Sequence, residues 1–187
     1  MRKIILDLAV SLDGFIEGPD GEIDWITASD HDDAAGDFLG DLLDDIDTVF
    51  YGRKSFDLWG EFVPGDDFPE GVRKAYEKIH TKKKIVFSTS KKYDGNVITI
   101  GSNIGERVDD IRRQPGKNIW LFGGGSLITT FINLGLVDMY RLGVYPVILG
   151  EGKPLFKDIS TRVNLNLLGT KSSASGVILL KYERVLS

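Results

Sequence analysis

An α/β fold built on a mostly parallel sheet follows from three features of the sequence. Short β-branched, apolar runs alternate with segments of helical spacing. The first run, residues 3–10, is nearly continuously apolar apart from Asp7, as a strand covered on both faces requires. Three of the runs end in turns rich in glycine, hydroxyls or cations, at residues 52–55, 88–92 and 123–127. The chain has 187 residues, 42% of them hydrophobic and 27% charged, which suits one full-sized core. No linker, repeat or low-complexity segment divides it, so residues 1–187 are expected to form one domain.

The elements follow in order. Ser11, Leu12, Asp13 and Gly14 supply turn chemistry after the first strand, and residues 17–22 read as a loop. Ala34, Ala35, Phe38, Leu39, Leu42 and Leu43 recur at helical spacing, predicting an amphipathic helix over 30–44 with its aspartates in water. Residues 48–51 form a second strand, with a helix through Phe56 to Trp59, and 60–71 a loop containing Pro64 and Pro69. Helices over 72–79 and 104–113 bracket strands at 83–87 and 97–100. Residues 118–127, N-I-W-L-F-G-G-G-S-L, read as strand, tight turn and helix, with Gly135 as the stop. A strand-like run over 139–149 contains Pro146. Residues 163–168 and 177–182, joined by a polar turn, then predict an antiparallel hairpin at the sheet edge. The apolar stretch 177–180 on that edge predicts a homodimer that covers it.

Charge and composition exclude several functions. Twenty-three basic against 28 acidic residues argue against a nucleic-acid or anionic-membrane partner. The absence of cysteine removes disulfide and thiolate chemistry, and two histidines, His31 and His80, do not suggest a metal site. Asp7 interrupts the first apolar run too early for a signal peptide or membrane span, so a cytoplasmic protein is expected.

The turns point to an anion. Glycines let a ligand approach the main chain, and a helix starting behind them aims free N–H groups at it. An anion is the natural guest, and a dinucleotide pyrophosphate on Gly123, Gly124, Gly125, Ser126 and Leu127 is the expected one; a turn that is only a structural loop is the equal alternative. The G-x-G-x-x-G fingerprint is not met, because Ile128 holds its third glycine position; nor is a P-loop, because Pro154 follows Gly152 and Lys153. In open α/β sheets ligands bind beyond the carboxyl ends of the strands. Gly52, Arg53, Lys54 and Ser55, then Ser88, Thr89 and Ser90, lie at two more such ends. Arg53 and Lys54 would meet a terminal 2′-phosphate, favouring NADPH over NADH; taken singly, each is equally an ordinary solvated cation.

These residues carry a resemblance. Ser11-Leu12-Asp13-Gly14, Tyr51-Gly52-Arg53-Lys54-Ser55, Phe122-Gly123-Gly124-Gly125-Ser126 and the stretch Y-P-V-I-L-G-E-G-K-P-L-F over 145–156 resemble the dihydrofolate-reductase-like superfamily. Within it they are most similar to the C-terminal reductase domain of the bifunctional riboflavin-biosynthesis deaminase/reductase and its stand-alone relatives. The resemblance implies a three-layer α/β/α fold around a mostly parallel sheet of about eight strands, with NADPH along its C-terminal edge. It implies that residues 52–55 hold the adenosine-side phosphates and Ser88, Thr89 and Ser90 the adenosine. It places residues 124–127 on the pyrophosphate, and Ala9 and Ile16 against the nicotinamide. It also implies a cis peptide between Gly123 and Gly124.

The implied activity is an NADPH-dependent reduction of a pyrimidine- or pterin-like small molecule. The riboflavin-type substrate is 5-amino-6-(5-phosphoribosylamino)uracil, whose phosphate needs a second anion site that no motif here supplies. Dihydrofolate reductases use a buried carboxylate on the first helix, and no residue matches it; Asp24, Asp30, Asp32 and Asp33 occupy that region. Asp24, beside Trp25, is the better candidate for a substrate contact. Asp13 is either a second catalytic candidate or the cap of its own turn. Trp25 is either a stacking wall for a flat heterocycle or a core aromatic. A nucleotide-binding homolog without catalysis and a dihydrofolate reductase are the alternative readings.

Overall fold

Every long apolar run becomes a strand of one sheet. In the computed structural model, which describes residues 1–27 and 34–185, the chain begins with β1 (Ile4–Ser11), β2 (Phe15–Glu17), α1 (Asp24–Thr27) and α2 (Ala34–Asp45). Then come β3 (Ile46–Gly52), α3 (Arg53–Trp59), α4 (Glu70–His80), β4 (Lys83–Phe87), β5 (Val97–Ile100) and α5 (Ile104–Arg113). The chain continues with β6 (Asn118–Gly123), α6 (Gly125–Asn133), β7 (Met139–Tyr145), β8 (Lys153–Pro154), β9 (Leu165–Ser172) and β10 (Ile178–Arg184). The expected start of the first long helix, and with it Asp30, Asp32 and Asp33, lies outside the described residues.

The eight-stranded sheet has the order β5-β4-β3-β6-β1-β7-β10-β9. Its first six strands are parallel neighbours, and β10 runs antiparallel to both β7 and β9. β2 and β8 pair separately as a small antiparallel ladder.

Period-2 alternation divides the core between two faces. Ile4 and Leu6 of β1 point to one face, where α5 and α6 bring Val108, Ile111, Ile128, Phe131 and Ile132. Ile5 points to the other, where α2, α3 and α4 bring Leu42, Leu43, Phe56, Ala75 and Ile79 onto Val49, Tyr51 and Trp120. Each large side chain so buried stabilises the fold by about 1.5–3 kcal/mol. The result is the expected three-layer α/β/α arrangement.

Two expectations at the C-terminal end are corrected. The run 177–180 is not an edge: β10 lies between β7 and β9, and Val177 and Leu179 are 1% and 2% exposed. Both pack with Phe38 and Tyr145, while Ile178 between them is exposed. The edge strand is β9, where Leu165, Leu167 and Leu168 are exposed. β7 stops at Tyr145 rather than continuing to 149, because Pro146 has no N–H to give a ladder.

Beneath the N-terminal ends of the strands, ion pairs lace the connections together. Arg112 Nη2 donates to both carboxylate oxygens of Asp138, at 3.0 and 2.9 Å, and its Nε donates to the Arg2 carbonyl at 3.1 Å. Asp138 Oδ2 also accepts the Ile4 N–H at 2.8 Å. Arg2 pairs with Asp47 and donates to Thr48 Oγ1 at 2.7 Å.

Candidate functional site

The carboxyl ends of β4, β3 and β6 stand side by side. Gly52 is in register with Phe87 on one side, and Tyr51 with Gly123 on the other. A Cβ on Gly52 would sit 3.2 Å from the Gly123 carbonyl oxygen and 3.6 Å from Gly124 Cα, so any side chain there would push the glycine turn back by a few tenths of an ångström. Gly123 and Gly124 reverse the chain with φ of 129° and 90°. All described peptide bonds are trans, so the cis bond expected between these two glycines is not formed. Two successive residues without Cβ reach the reversal through positive φ alone. α6 then starts at Gly125, with the N–H groups of Leu127 and Ile128 closing on the Gly124 carbonyl at 2.9 and 3.0 Å. Ser126 is exposed on this first turn, whereas the Leu127 side chain goes into the core.

Charges gather beside these ends. Arg53 Nη1 reaches Asp57 Oδ2 at 3.2 Å, and Lys91 Nζ and Tyr93 Oη reach Asp57 Oδ1 at 2.6 and 2.7 Å. The Lys91 and Tyr93 hydrogen bonds hold the Asp57 carboxyl below the usual carboxylate range. Ser88 Oγ accepts the N–H groups of Ser90 and Lys91 at 3.3 and 3.0 Å and so shapes its loop, leaving Thr89 and Ser90 exposed. Lys54 is exposed.

A cavity of about 300 Å³ opens from the glycine turn into the face covered by α2, α3 and α4. Ala9, Ile16, Ser55, Gly123 and Gly124, five of the residues expected at the cofactor, line it. Its other walls are mainly aromatic and aliphatic, among them Phe38, Trp120, Phe122 and Tyr145.

Among the described residues two carboxylates lie on that wall, Glu17 near the glycine turn and Asp7, which in the sequence is no more than a break in an apolar run. It alternates with Ile5 and Ala9, so it shares their face of the sheet. Directly across the ladder lie Arg141 of β7 and then Lys181 of β10. Arg141 Nε donates to Asp7 Oδ2 at 2.7 Å, and its Nη2 donates to the Phe38 carbonyl at 2.6 Å. Trp120 Nε1 donates to the Asp7 carbonyl at 2.9 Å, fixing the backbone there. Burial pushes the Asp7 carboxyl up to about 6 in spite of the opposing Arg141 charge. A lone acid in a strand buried on both faces was the available signal, since such a charge needs a partner.

The acids favoured from sequence lie elsewhere. Asp13 is exposed and does not line the cavity. Its Oδ1 accepts from Ser11 Oγ at 2.6 Å and the Leu149 N–H at 3.2 Å, and its Oδ2 accepts the Gly150 N–H at 2.7 Å. These bonds, the Ser11 hydroxyl foremost, hold its carboxyl below the ordinary range and fasten one loop to another. Asp24 is exposed, and its neighbours Ile23 and Ile26, not Asp24, line the cavity. Trp25 packs edge-on against Tyr145, with centroids 5.4 Å apart, behind the wall rather than in it.

Lys153 of β8 was also missed. Its Nζ meets Glu17 Oε1 at 2.9 Å, and its Cε lies 2.9 Å from where a Cβ on Gly125 would be, so it overhangs the glycine turn. Among the described residues no His, Asp and Glu cluster is placed to hold a metal ion, and no helix is long and apolar enough to cross a membrane.

The glycine turn presents main-chain N–H groups at the start of α6, the kind of donor a pyrophosphate takes. Side chains at Gly52, Gly124 or Gly125 would crowd it, meeting Gly123 O at 3.2 Å, Ser55 Oγ at 3.3 Å and Lys153 Cε at 2.9 Å respectively. Residues 2–179 match the RibD C-terminal domain family. The chain is 53% identical over 183 residues to the uncharacterized protein YyaP of Bacillus subtilis (strain 168), covering 97% of this chain and 95% of that one. Among solved structures, a pyrimidine reductase-like protein from Corynebacterium diphtheriae NCTC superposes with TM-score 0.70 at 18% identity, covering 100% of this chain and 93% of that one. Dihydrofolate reductase from Enterococcus faecalis, complexed with NADP(H), gives 0.65 at 17% identity, covering 97% and 96%. At such identities the structures speak for the fold, which is dihydrofolate-reductase-like as expected. Fold and matched residues together show that the chain belongs to the RibD C-terminal domain family.

Proposed function

We propose that the chain is a reductase that uses NADPH to reduce a pyrimidine- or pterin-like heterocycle, with Asp7 as its acid. The observation that carries this reading is one continuous cavity. It leads from the glycine turn at three adjacent strand ends to a buried carboxylate.

A reduced nicotinamide, when bound, supplies a hydride. The protein's own tasks are to bind, to orient and to deliver a proton. Gly124, Gly125 and Ser126 offer main-chain N–H groups at the start of α6 for a pyrophosphate, with Lys153 above them. Gly52 and Ser55 pack against this turn, and Arg53 and Lys91 present cations beside it, suited to a 2′-phosphate. Ala9 and Ile16 give the apolar surface against which a nicotinamide ring would lie. Asp7 holds a proton for the heteroatom of a substrate C=O or C=N. Its raised titration range keeps about a tenth of the molecules protonated at neutral pH. Arg141 fixes the orientation of that carboxyl through Oδ2.

Titration with NADPH tests the reading. Nicotinamide fluorescence is expected to rise and shift to the blue, with NADH much weaker. Silence toward both nucleotides defeats it.

A further inference from the structure

The cavity's charge is one-sided. Among the described residues its wall carries two charged side chains, Asp7 and Glu17, and both are acids. No lysine, arginine or histidine lines it among those residues. The neighbouring cations stand off the wall: Arg141 is held by Asp7 and the Phe38 carbonyl, Lys153 by Glu17, and Lys181, beside Arg141, faces Asp41 at 3.9 Å. Arg53 and Lys91 converge on Asp57 outside the cavity wall. The stretch 28–33, A-S-D-H-D-D, contains neither lysine nor arginine.

A phosphate ester in this space would lose its water and meet two carboxylates on a wall that carries no cation among the described residues. Flat, uncharged rings meet the opposite situation. Phe38, Trp59, Tyr76, Trp120, Phe122 and Tyr145 line the space, and they reward apolar contact and stacking. The volume, about 300 Å³, is at the small end for such sites, and a nicotinamide against Ala9 and Ile16 would share it, which leaves room for a small flat ring system.

We infer that this site takes an uncharged, unphosphorylated flat heterocycle. The inference rests on the reductase reading for its setting. It separates this chain from any relative whose substrate carries a ribose phosphate. The ionic feature at the floor is the Asp7–Arg141 pair, a net-neutral group in which Arg141 holds Oδ2. Tyr145 of the same strand as Arg141, Lys181 of β10 and, through Lys181 at 3.9 Å, Asp41 of α2 complete the polar surroundings of that pair.

Trp59 and Trp120 line the cavity and report its filling. The test compares lumazine, an uncharged bicyclic dione near neutral pH, with lumazine-6-carboxylate, by quenching of tryptophan emission. It is run with and without NADPH. Lumazine is expected to bind at least about tenfold tighter than its carboxylate, as repulsion in a poorly solvated site requires. In Glu17→Gln, which removes one acid and frees Lys153, the gap is expected to shrink. Equal or tighter binding of the carboxylate by the unmodified protein overturns the inference, as does failure of lumazine itself to quench. Nicotinamide emission is read separately: lumazine binding with a silent nicotinamide defeats the reductase reading and leaves the substrate class standing.

Discussion

Arg112–Asp138 and Asp7–Arg141 are the same chemical pair in two places, and their surroundings give them opposite roles. At the N-terminal end of the sheet, Asp138 spends both oxygens: Arg112 Nη2 reaches each, and the Ile4 N–H takes Oδ2 as well. The pair is closed and joins α5, β1 and the start of β7. Within the sheet, Asp7 gives Oδ2 to Arg141, while Oδ1 makes no hydrogen bond among the described residues. Burial without full pairing leaves that carboxyl reluctant to ionise. A buried ion pair is therefore weak evidence for stability by itself, and the unspent oxygen is what separates a rivet from a proton store.

The largest effect expected is on stability. Asp138→Ala strands a nearly buried guanidinium and the Ile4 N–H and should cost about 3–5 kcal/mol in urea unfolding. Asp7→Asn should cost well under that, and an equal loss would erase the distinction between the pairs. Next comes the dependence on pH. The folded Asp7 carboxyl keeps its proton up to about pH 6, whereas the unfolded one releases it near 3.8. Its contribution to stability is therefore full below about pH 4 and is lost as the pH rises through 6, a swing of about 3 kcal/mol. Subtracting the Asp7→Asn profile from that of the unmodified protein isolates this limb, and a flat difference would rule out the raised titration.

Turnover should show the reverse ranking. Asp7→Asn is expected to lower kcat about 100-fold, with NADPH affinity kept, while Asp138→Asn leaves kcat per folded molecule near its starting value. Loss of cofactor binding in Asp7→Asn would show that the residue is structural. The smallest effect concerns the rim. A Cβ at position 52 must push on the Gly123 carbonyl, now 3.2 Å away, so Gly52→Ala should weaken NADPH about tenfold, or about 1.4 kcal/mol. Unchanged affinity would mean that the turn yields freely.

The rim was legible in the sequence because its chemistry is local. Three consecutive glycines, G-R-K-S and the strands that precede them declare their backbone demands within a few residues. The floor was not, since Asp7 meets a partner 134 positions away. No periodicity links them, and Asp13 and Asp24, which look catalytic in a linear reading, lie in loops or on the surface. The hairpin illustrates the same limit. Alternation identifies two strands, yet which of them joins β7 depends on Phe38 and Tyr145 receiving Val177 and Leu179, not on anything inside the hairpin.

Leu179 stands opposite Gly143, and Gly143 opposite Ala9, so the first and the last strands meet in one wall. A polypeptide leaving the ribosome thus displays its glycine cradle long before it can enclose anything. Until residue 179 has been threaded beside β7, the chamber lacks a side. Occupancy by a small molecule consequently waits for that strand, and a ligand added during synthesis could rescue only molecules that have already closed.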